Sequence, residues 1–191
     1  MGCKNSKNNS NIDIKMKTNP ATTVDDYSYP TIEELKSYNI TKMKTYVPDI
    51  THGFVSKVYD GDTITVYCYN NDIKKNNNKL YKYSIRLSNI DCPELRTKNE
   101  TEKLYAQRVQ VFLSELILHK FIFIKIIKFE KYGRLLADIY LEKNNNIPNS
   151  MKKYKIDIKM SISDLLLRMK YAVVYDGGTK TQFNKNLYAP L

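Results

Sequence analysis

The sequence predicts a β-rich α+β domain behind a polar N-terminal segment. Three observations carry that prediction. From Gly53 onward, β-branched and aromatic residues alternate with polar ones over short runs. A single long stretch, Asn99–His119, switches to a helical period. The resulting order is three strands, a helix, two strands and a short helix, which fits a small five-stranded Greek-key barrel of the OB type with packed helices. An α+β sandwich fits the same order, and pattern alone leaves the two open.

Residues 1–50 are rich in Asn, Lys, Thr, Ser and Asp, and Pro20, Pro30 and Pro48 interrupt any regular element. Met1 to about Val24 is expected to be disordered. Thr31–Lys36 reads as a short helix, with Thr31 as its cap and Glu34 completing a capping box. Gly53–Tyr59 and Thr63–Tyr69 read as strands joined at Asp60-Gly61-Asp62, a strong hairpin signal. Asn70–Asn78 is a polar loop, and Lys82–Asn89 a third strand. In Asn99–His119, Leu104, Val109, Val111, Phe112, Leu116 and Ile117 supply an apolar face, and Asn99 with Glu102 resembles a capping box. Phe121–Phe129 and Leu135–Leu141 alternate as strands. Lys143–Ser150 is an Asn-rich loop closed by Pro148, Tyr154–Lys159 reads as one more short strand, and Ser161 or Ser163 caps a helix to about Lys170. The expected organisation is a tail over 1–50, a folded domain over 51–180 and a C-terminal tail over 181–191.

With 191 residues the chain is long enough for one domain that buries its own core. Its 31 Lys and Arg against 20 Asp and Glu give a net charge of +11, which points to an anionic partner. The first 50 residues carry 7 Lys and 6 acidic residues, so the excess belongs to the folded part. Cys3, Cys68 and Cys92 are too few and too scattered for a disulfide framework, and His52 and His119 complete no zinc pattern. No run of 18 apolar residues and no apolar leader is present, so neither a transmembrane helix nor a secretory signal is expected.

Three segments concentrate charge where strands end: Asp60-Gly61-Asp62-Thr63, Arg86 to Glu94, and Lys131-Tyr132-Gly133-Arg134. Phosphodiester hydrolysis needs oxygen ligands for a hard cation, a group that holds the attacking water, and cations that neutralise the crowded phosphate. Guanidinium suits the last task, because its fork matches phosphate oxygens and stays charged. Asp62, Asp91, Glu94, Arg86 and Arg134 supply that set. Each alone has an ordinary reading as a turn, a surface ion pair or a hairpin corner; order and spacing together raise it. Among sixteen tyrosines most read as half-buried strand residues. Lys79, Lys82 and Lys131 are candidates to line a nucleic-acid groove.

Val58-Tyr59-Asp60-Gly61-Asp62-Thr63, Ile85-Arg86-Leu87, Ile90-Asp91-Cys92-Pro93-Glu94, and Tyr132-Gly133-Arg134 with Leu136-Ala137-Asp138-Ile139-Tyr140 follow one another in the order of the staphylococcal nuclease (thermonuclease) family. A looser match runs from Leu165-Leu166-Leu167-Arg168 to Ala172-Val173-Val174-Tyr175. The chain resembles that family over residues 53–180. The resemblance implies the OB barrel rather than the sandwich, and a Ca²⁺-dependent nuclease of DNA and RNA that leaves 3′-phosphate ends. It places Asp62 and Asp91 as calcium carboxylates, with Cys92 lending its backbone carbonyl. Glu94 matches the glutamate that activates or orients water, Arg86 and Arg134 the two phosphate-clamping arginines, and Tyr132 and Tyr175 tyrosines that contact the nucleotide. Asn144–Tyr154 lengthens one hairpin relative to the family.

Met1-Gly2-Cys3-Lys4-Asn5-Ser6-Lys7 fits the myristoylation pattern at Gly2, with Cys3 a palmitoylation candidate. Two acyl chains hold stably where one does not. The expected location is therefore the cytoplasmic face of a membrane, and the expected state a monomer. Two other classes remain on the sequence alone: a catalytically silent nucleic-acid-binding barrel, and a lipid-anchored interaction protein.

Overall fold

The computed structural model describes residues 31–37, 46–69, 80–130, 132–180 and 182–191. They fall into two units, 1–44 and 45–191. In the first, α1 (Ile32–Ser37) begins on the expected capping box. The Thr31 hydroxyl accepts from the Glu34 N–H at 3.2 Å, and the Glu34 carboxylate accepts from the Thr31 N–H at 2.7 Å.

In the second unit, β1 (His52–Val58), β2 (Thr63–Cys68), β3 (Tyr81–Leu87), β5 (Phe121–Phe129) and β6 (Leu135–Leu141) close into a barrel in the order β1-β2-β3-β6-β5. The β3–β6 pair is parallel and the others are antiparallel, with β5 returning to β1 through Gly53↔Ile122. This is the predicted five-stranded barrel. Bulges between Val55 and Lys57 and between Ile126 and Lys128 bend β1 and β5 enough to close it. Alternate residues fill the interior: Val55, Ile64, Val66, Ile85, Leu87, Ile122, Ile124, Leu135, Ala137 and Ile139 are all essentially buried.

The helix α2 (Glu100–Ile117) packs on this core through Val109, Phe112, Leu113, Leu116 and Ile117. Each such side chain contributes roughly 1.5–3 kcal/mol of transfer free energy. The short α3 (Ile162–Arg168) is capped by Ser161, whose hydroxyl accepts from the Asp164 N–H at 3.0 Å, and it buries Ile162, Leu165 and Leu166. Two two-residue strands, β4 (Ile90–Asp91) and β7 (Val173–Val174), form a separate antiparallel ladder. Residues near the C-terminus pack on α2: Tyr188 is buried against Tyr105 and Phe183, and Ala189 N–H donates to the Lys170 carbonyl at 2.9 Å.

Three expectations are corrected. Tyr154–Lys159 is not a strand, so Asn144–Tyr154 lengthens no hairpin: a 3-10 turn over Asn149–Tyr154 follows Pro148, and an Asp157–Met160 turn follows it. A closed barrel offers no free edge to a sixth strand. The alternation there comes from Ile156, Ile158 and Met160 leaning on the core, while Arg168 donates to the Tyr154 and Lys155 carbonyls. Leu104 and Val111 lie on the outer side of α2, 53% and 56% exposed; Leu113, Tyr105 and Ala106 take the inner face instead. The capping box of α2 is half-built, for a reason that belongs to the site.

Candidate functional site

Strand register assembles the first part of the site. Asp62 ends the β1–β2 hairpin, and its carbonyl accepts from the Leu87 N–H at 2.8 Å. Thr63 pairs with Arg86 across β2 and β3, so Arg86 emerges beside Asp62. The chain then reverses through Ser88-Asn89, with Asn89 in the left-handed region at φ 61°, which asparagine tolerates better than most residues. The reversal brings Asp91 back alongside. The Arg86 guanidinium is ion-paired with Asp62, bonds Asp91 Oδ1 at 3.2 Å and donates to the Ile90 carbonyl at 3.1 Å. Its side chain is only 8% exposed. Asp62 also accepts from the Thr63 hydroxyl at 3.0 Å and from the Cys92 N–H at 3.2 Å.

Burial works against the Arg86 charge, but the Asp62 carboxylate, and after it Asp91, outweigh burial and hold the guanidinium protonated above its usual range. Asp60 stands next to this pair and accepts from the Asp62 N–H at 3.2 Å. Burial, then the Asp62 carboxylate, push its carboxyl up to about 6. Burial and the same carboxylates drive the Cys92 thiol well above its ordinary value, so Cys92 is no nucleophile here.

Glu94 is placed by an acceptor that the sequence assigns elsewhere. Asn99 caps α2 by accepting from the Glu102 N–H at 3.2 Å, but the Glu102 carboxylate does not return to Asn99. It accepts instead from the Glu94 N–H at 3.1 Å and from the Thr97 hydroxyl at 2.7 Å. The half-spent capping box thus pins the loop that carries Glu94. At the other side of the site, the β5–β6 turn runs through Gly133 at φ 76° and presents Tyr132 and Arg134. Arg134 is held by Glu130 Oε2, 3.1 Å from Nε and 3.0 Å from the terminal nitrogen.

These parts border one cleft of about 830 Å³. Asp62, Arg86, Glu94, Arg134, Tyr132 and Tyr175 line it together. Asp91 and Cys92 are not on its wall; Asp91 reaches the site through Arg86, and Cys92 through its N–H to Asp62. The Tyr175 ring lies under the Arg86 guanidinium at 5.8 Å, and its hydroxyl donates to the Gly178 carbonyl at 2.8 Å. Gly2, Cys3, Lys79 and Lys131 lie outside the described residues. Lys82 sits opposite Tyr67 on β3, away from the cleft lining.

The sequence reading missed four contributors: Asp60, Glu102, Glu130 and Lys180. Only Asp60 carried a signal, as the first residue of the Asp-Gly-Asp hairpin. Among the described residues, no three His, Cys, Asp or Glu side chains are gathered as a ready metal cage. The donors present still suit a hard cation. Asp62 and Asp91 offer only oxygen, and positive charge already settles among these carboxylates, from Arg86 and from the Lys180 ammonium.

No described helix is long and apolar enough to cross a membrane. Comparison with known proteins agrees with the geometry. A probable endonuclease of Schizosaccharomyces pombe is 28% identical over 142 residues, covering 65% of this chain and 56% of that protein. A probable endonuclease of Candida glabrata is 30% identical over 113 residues, covering 58% of this chain and 38% of that protein. The chain therefore spans from over a third to just over half the length of these relatives. The family described as staphylococcal nuclease homologue matches residues 84–188, a stretch that holds Arg86, Asp91, Glu94, Arg134 and Tyr175 on the scaffold described above. With more than half of its length matched, and with the barrel that its motifs imply, the chain belongs to the staphylococcal nuclease homologue family.

Proposed function

We propose that the protein is a Ca²⁺-dependent endonuclease that hydrolyses phosphodiester bonds of DNA or RNA and leaves 3′-phosphate ends. The observation that carries this reading is the cleft in which two guanidiniums, Arg86 and Arg134, line the same walls as Glu94 and Asp62. A phosphodiester seated there meets positive charge from two sides, and the forked geometry suits its equatorial oxygens. Glu94 accepts the proton of the attacking water. The phosphorus–O5′ bond breaks as the new phosphorus–oxygen bond forms, the departing O5′ takes a proton from solvent water to become a hydroxyl, and the phosphate stays on the 3′ side. Arg134 exchanges Glu130 for a phosphate oxygen, and Tyr132 and Tyr175 border the nucleotide. Lys131, next to Tyr132 in the sequence, is a further candidate contact for the substrate. Asp62, Asp91 and the Cys92 carbonyl would hold Ca²⁺. When bound, the cation supplies positive charge beside the phosphate and the attacking oxygen.

Cleavage of single-stranded DNA with Ca²⁺ or EGTA tests this. Wild-type protein should cut only with Ca²⁺, and Glu94→Gln should cut about a hundredfold or more slowly, the usual loss for a general base. Absence of cleavage by the wild type, or equal rates for the two, would refute the enzyme and leave a nucleic-acid-binding barrel. The N-terminal Gly2-Cys3 sequence supports anchoring through acyl chains to the cytoplasmic face of a membrane. A Gly2→Ala variant is expected to leave the membrane fraction of cells; retention there would count against the anchor.

A further inference from the structure

We propose that Lys180 is an internal counter-cation that occupies the place between Asp91 and Glu94 and competes with the divalent cation for them. The inference rests on the cation-dependent reading above. Its ammonium lies 2.8 Å from Asp91 Oδ1 and is ion-paired with Glu94 Oε1. It thus touches a carboxylate proposed to bind the cation and the one proposed to take the proton.

Several bonds deliver the lysine to that position. Pairing of β7 with β4 lays the C-terminal segment beside Asp91, through Ile90↔Val174 and Asp91↔Val173. The Tyr175 N–H extends the ladder to the Asn89 carbonyl at 3.0 Å. Beyond it the chain turns sharply at Gly177, φ 97°, where a side chain would be strained. The turn is closed by the Gly178 N–H on Asp176 Oδ1 at 3.0 Å and by the Tyr175 hydroxyl on the Gly178 carbonyl. Lys180 follows directly.

Charge balance explains why an ammonium settles there. Asp60, Asp62 and Glu94 line the cleft with Asp91 behind them, and among the described residues Arg86 is ion-paired with Asp62 and Asp91. Glu94 is left to Lys180. A lysine suits a place that must be vacated. It is a single mobile charge on a flexible stem, its side chain is 44% exposed, and it gives way to a divalent ion more readily than a buried guanidinium fork. Without the cation, Glu94 is occupied and the site is silent; with it, Lys180 is released toward the cleft it already lines.

The test is calorimetric titration of Ca²⁺ into the full chain, comparing wild type, Lys180→Gln and Lys180→Arg, with circular dichroism as a check on folding. Removing one competing charge should tighten Ca²⁺ binding about three- to fivefold in Lys180→Gln, in line with a partly exposed ion pair. Lys180→Arg, which keeps the charge on a fork that yields less readily, should bind Ca²⁺ no more tightly than wild type. Ca²⁺ should also raise the melting temperature of Lys180→Gln more than that of wild type. Equal or weaker binding by Lys180→Gln overturns the inference while the cation reading stands. No binding by any of the three proteins overturns both.

Discussion

Replacing Arg86 with alanine should cost about 3–5 kcal/mol of folding stability, the usual penalty for breaking a buried ion pair from one side. The reason is what the change leaves behind. Asp62 and Asp91 are buried, Asp60 adjoins them, and Arg86 is the guanidinium that both Asp62 and Asp91 share. Chemical unfolding in EGTA would read this as a lower midpoint at an unchanged slope. Arg86→Lys keeps a charge but loses the fork to Asp62, Asp91 and the Ile90 carbonyl, and should recover less than half of the loss. Adding Asp62→Asn to Arg86→Ala should restore part of it, because one uncompensated carboxylate disappears. An Arg86→Ala protein as stable as wild type would show that solvent, not the guanidinium, balances these carboxylates. Cleavage should be lost in every variant that lacks the fork.

The second large effect is expected at Gly61. A Cβ there would lie 2.7 Å from Cys92 Cβ, 2.7 Å from Val109 Cγ1 and 2.8 Å from the Cys92 sulfur. Neither neighbour is the loose end of a flexible chain: Cys92 follows β4, and Val109 is buried on α2. Gly61→Ala should therefore cost about 3 kcal/mol, the upper end for an overpacked core. It should also shift the hairpin that carries Asp62, so that activity falls further than the lost stability explains. Thermal unfolding together with cleavage at a temperature where the variant remains folded would separate the two losses. A variant with wild-type melting and wild-type cleavage would mean that the hairpin and α2 yield easily.

Much of this architecture can be read in the sequence, and the exceptions share physical causes. The Asp-Gly turn, Phe121–Phe129 and Leu135–Leu141 are legible because a half-buried strand must alternate. Barrel closure is not local, so pattern could not choose between barrel and sandwich; Gly53↔Ile122 decides it. The strands β4 and β7 are two residues each, too short to show a period. Leu104 and Val111 fit the helical period loosely but fall on its outer side, a difference that only packing resolves. At the site, Asp62, Arg86, Asp91, Glu94 and Arg134 stand out by type and spacing. Glu102 and Glu130 were hidden because a glutamate that serves another side chain or its backbone leaves no mark in spacing. Lys180 was hidden in a Gly-Gly-Thr-Lys run like any solvated lysine.

The β4–β7 ladder bears on how the protein is made. Synthesis proceeds from the N-terminus, and domains form as their contacts become available. Asp62, Arg86, Asp91 and Glu94 all leave the ribosome early, yet the partner of Ile90 and Asp91 arrives only with residues 173–174. Until then β4 has an open edge, and Asp91 and Glu94 lack the lysine that neutralises them. Pairing across such a separation is slow, because loop closure must precede its reward. A chain interrupted between Arg134 and Val173 would thus carry most of the charged cleft without the strand that pairs with β4, exposing an open edge. Nascent products that lack Val173 and Val174 are therefore expected to aggregate more readily than the folded chain, which sedimentation of ribosome-released truncations would read.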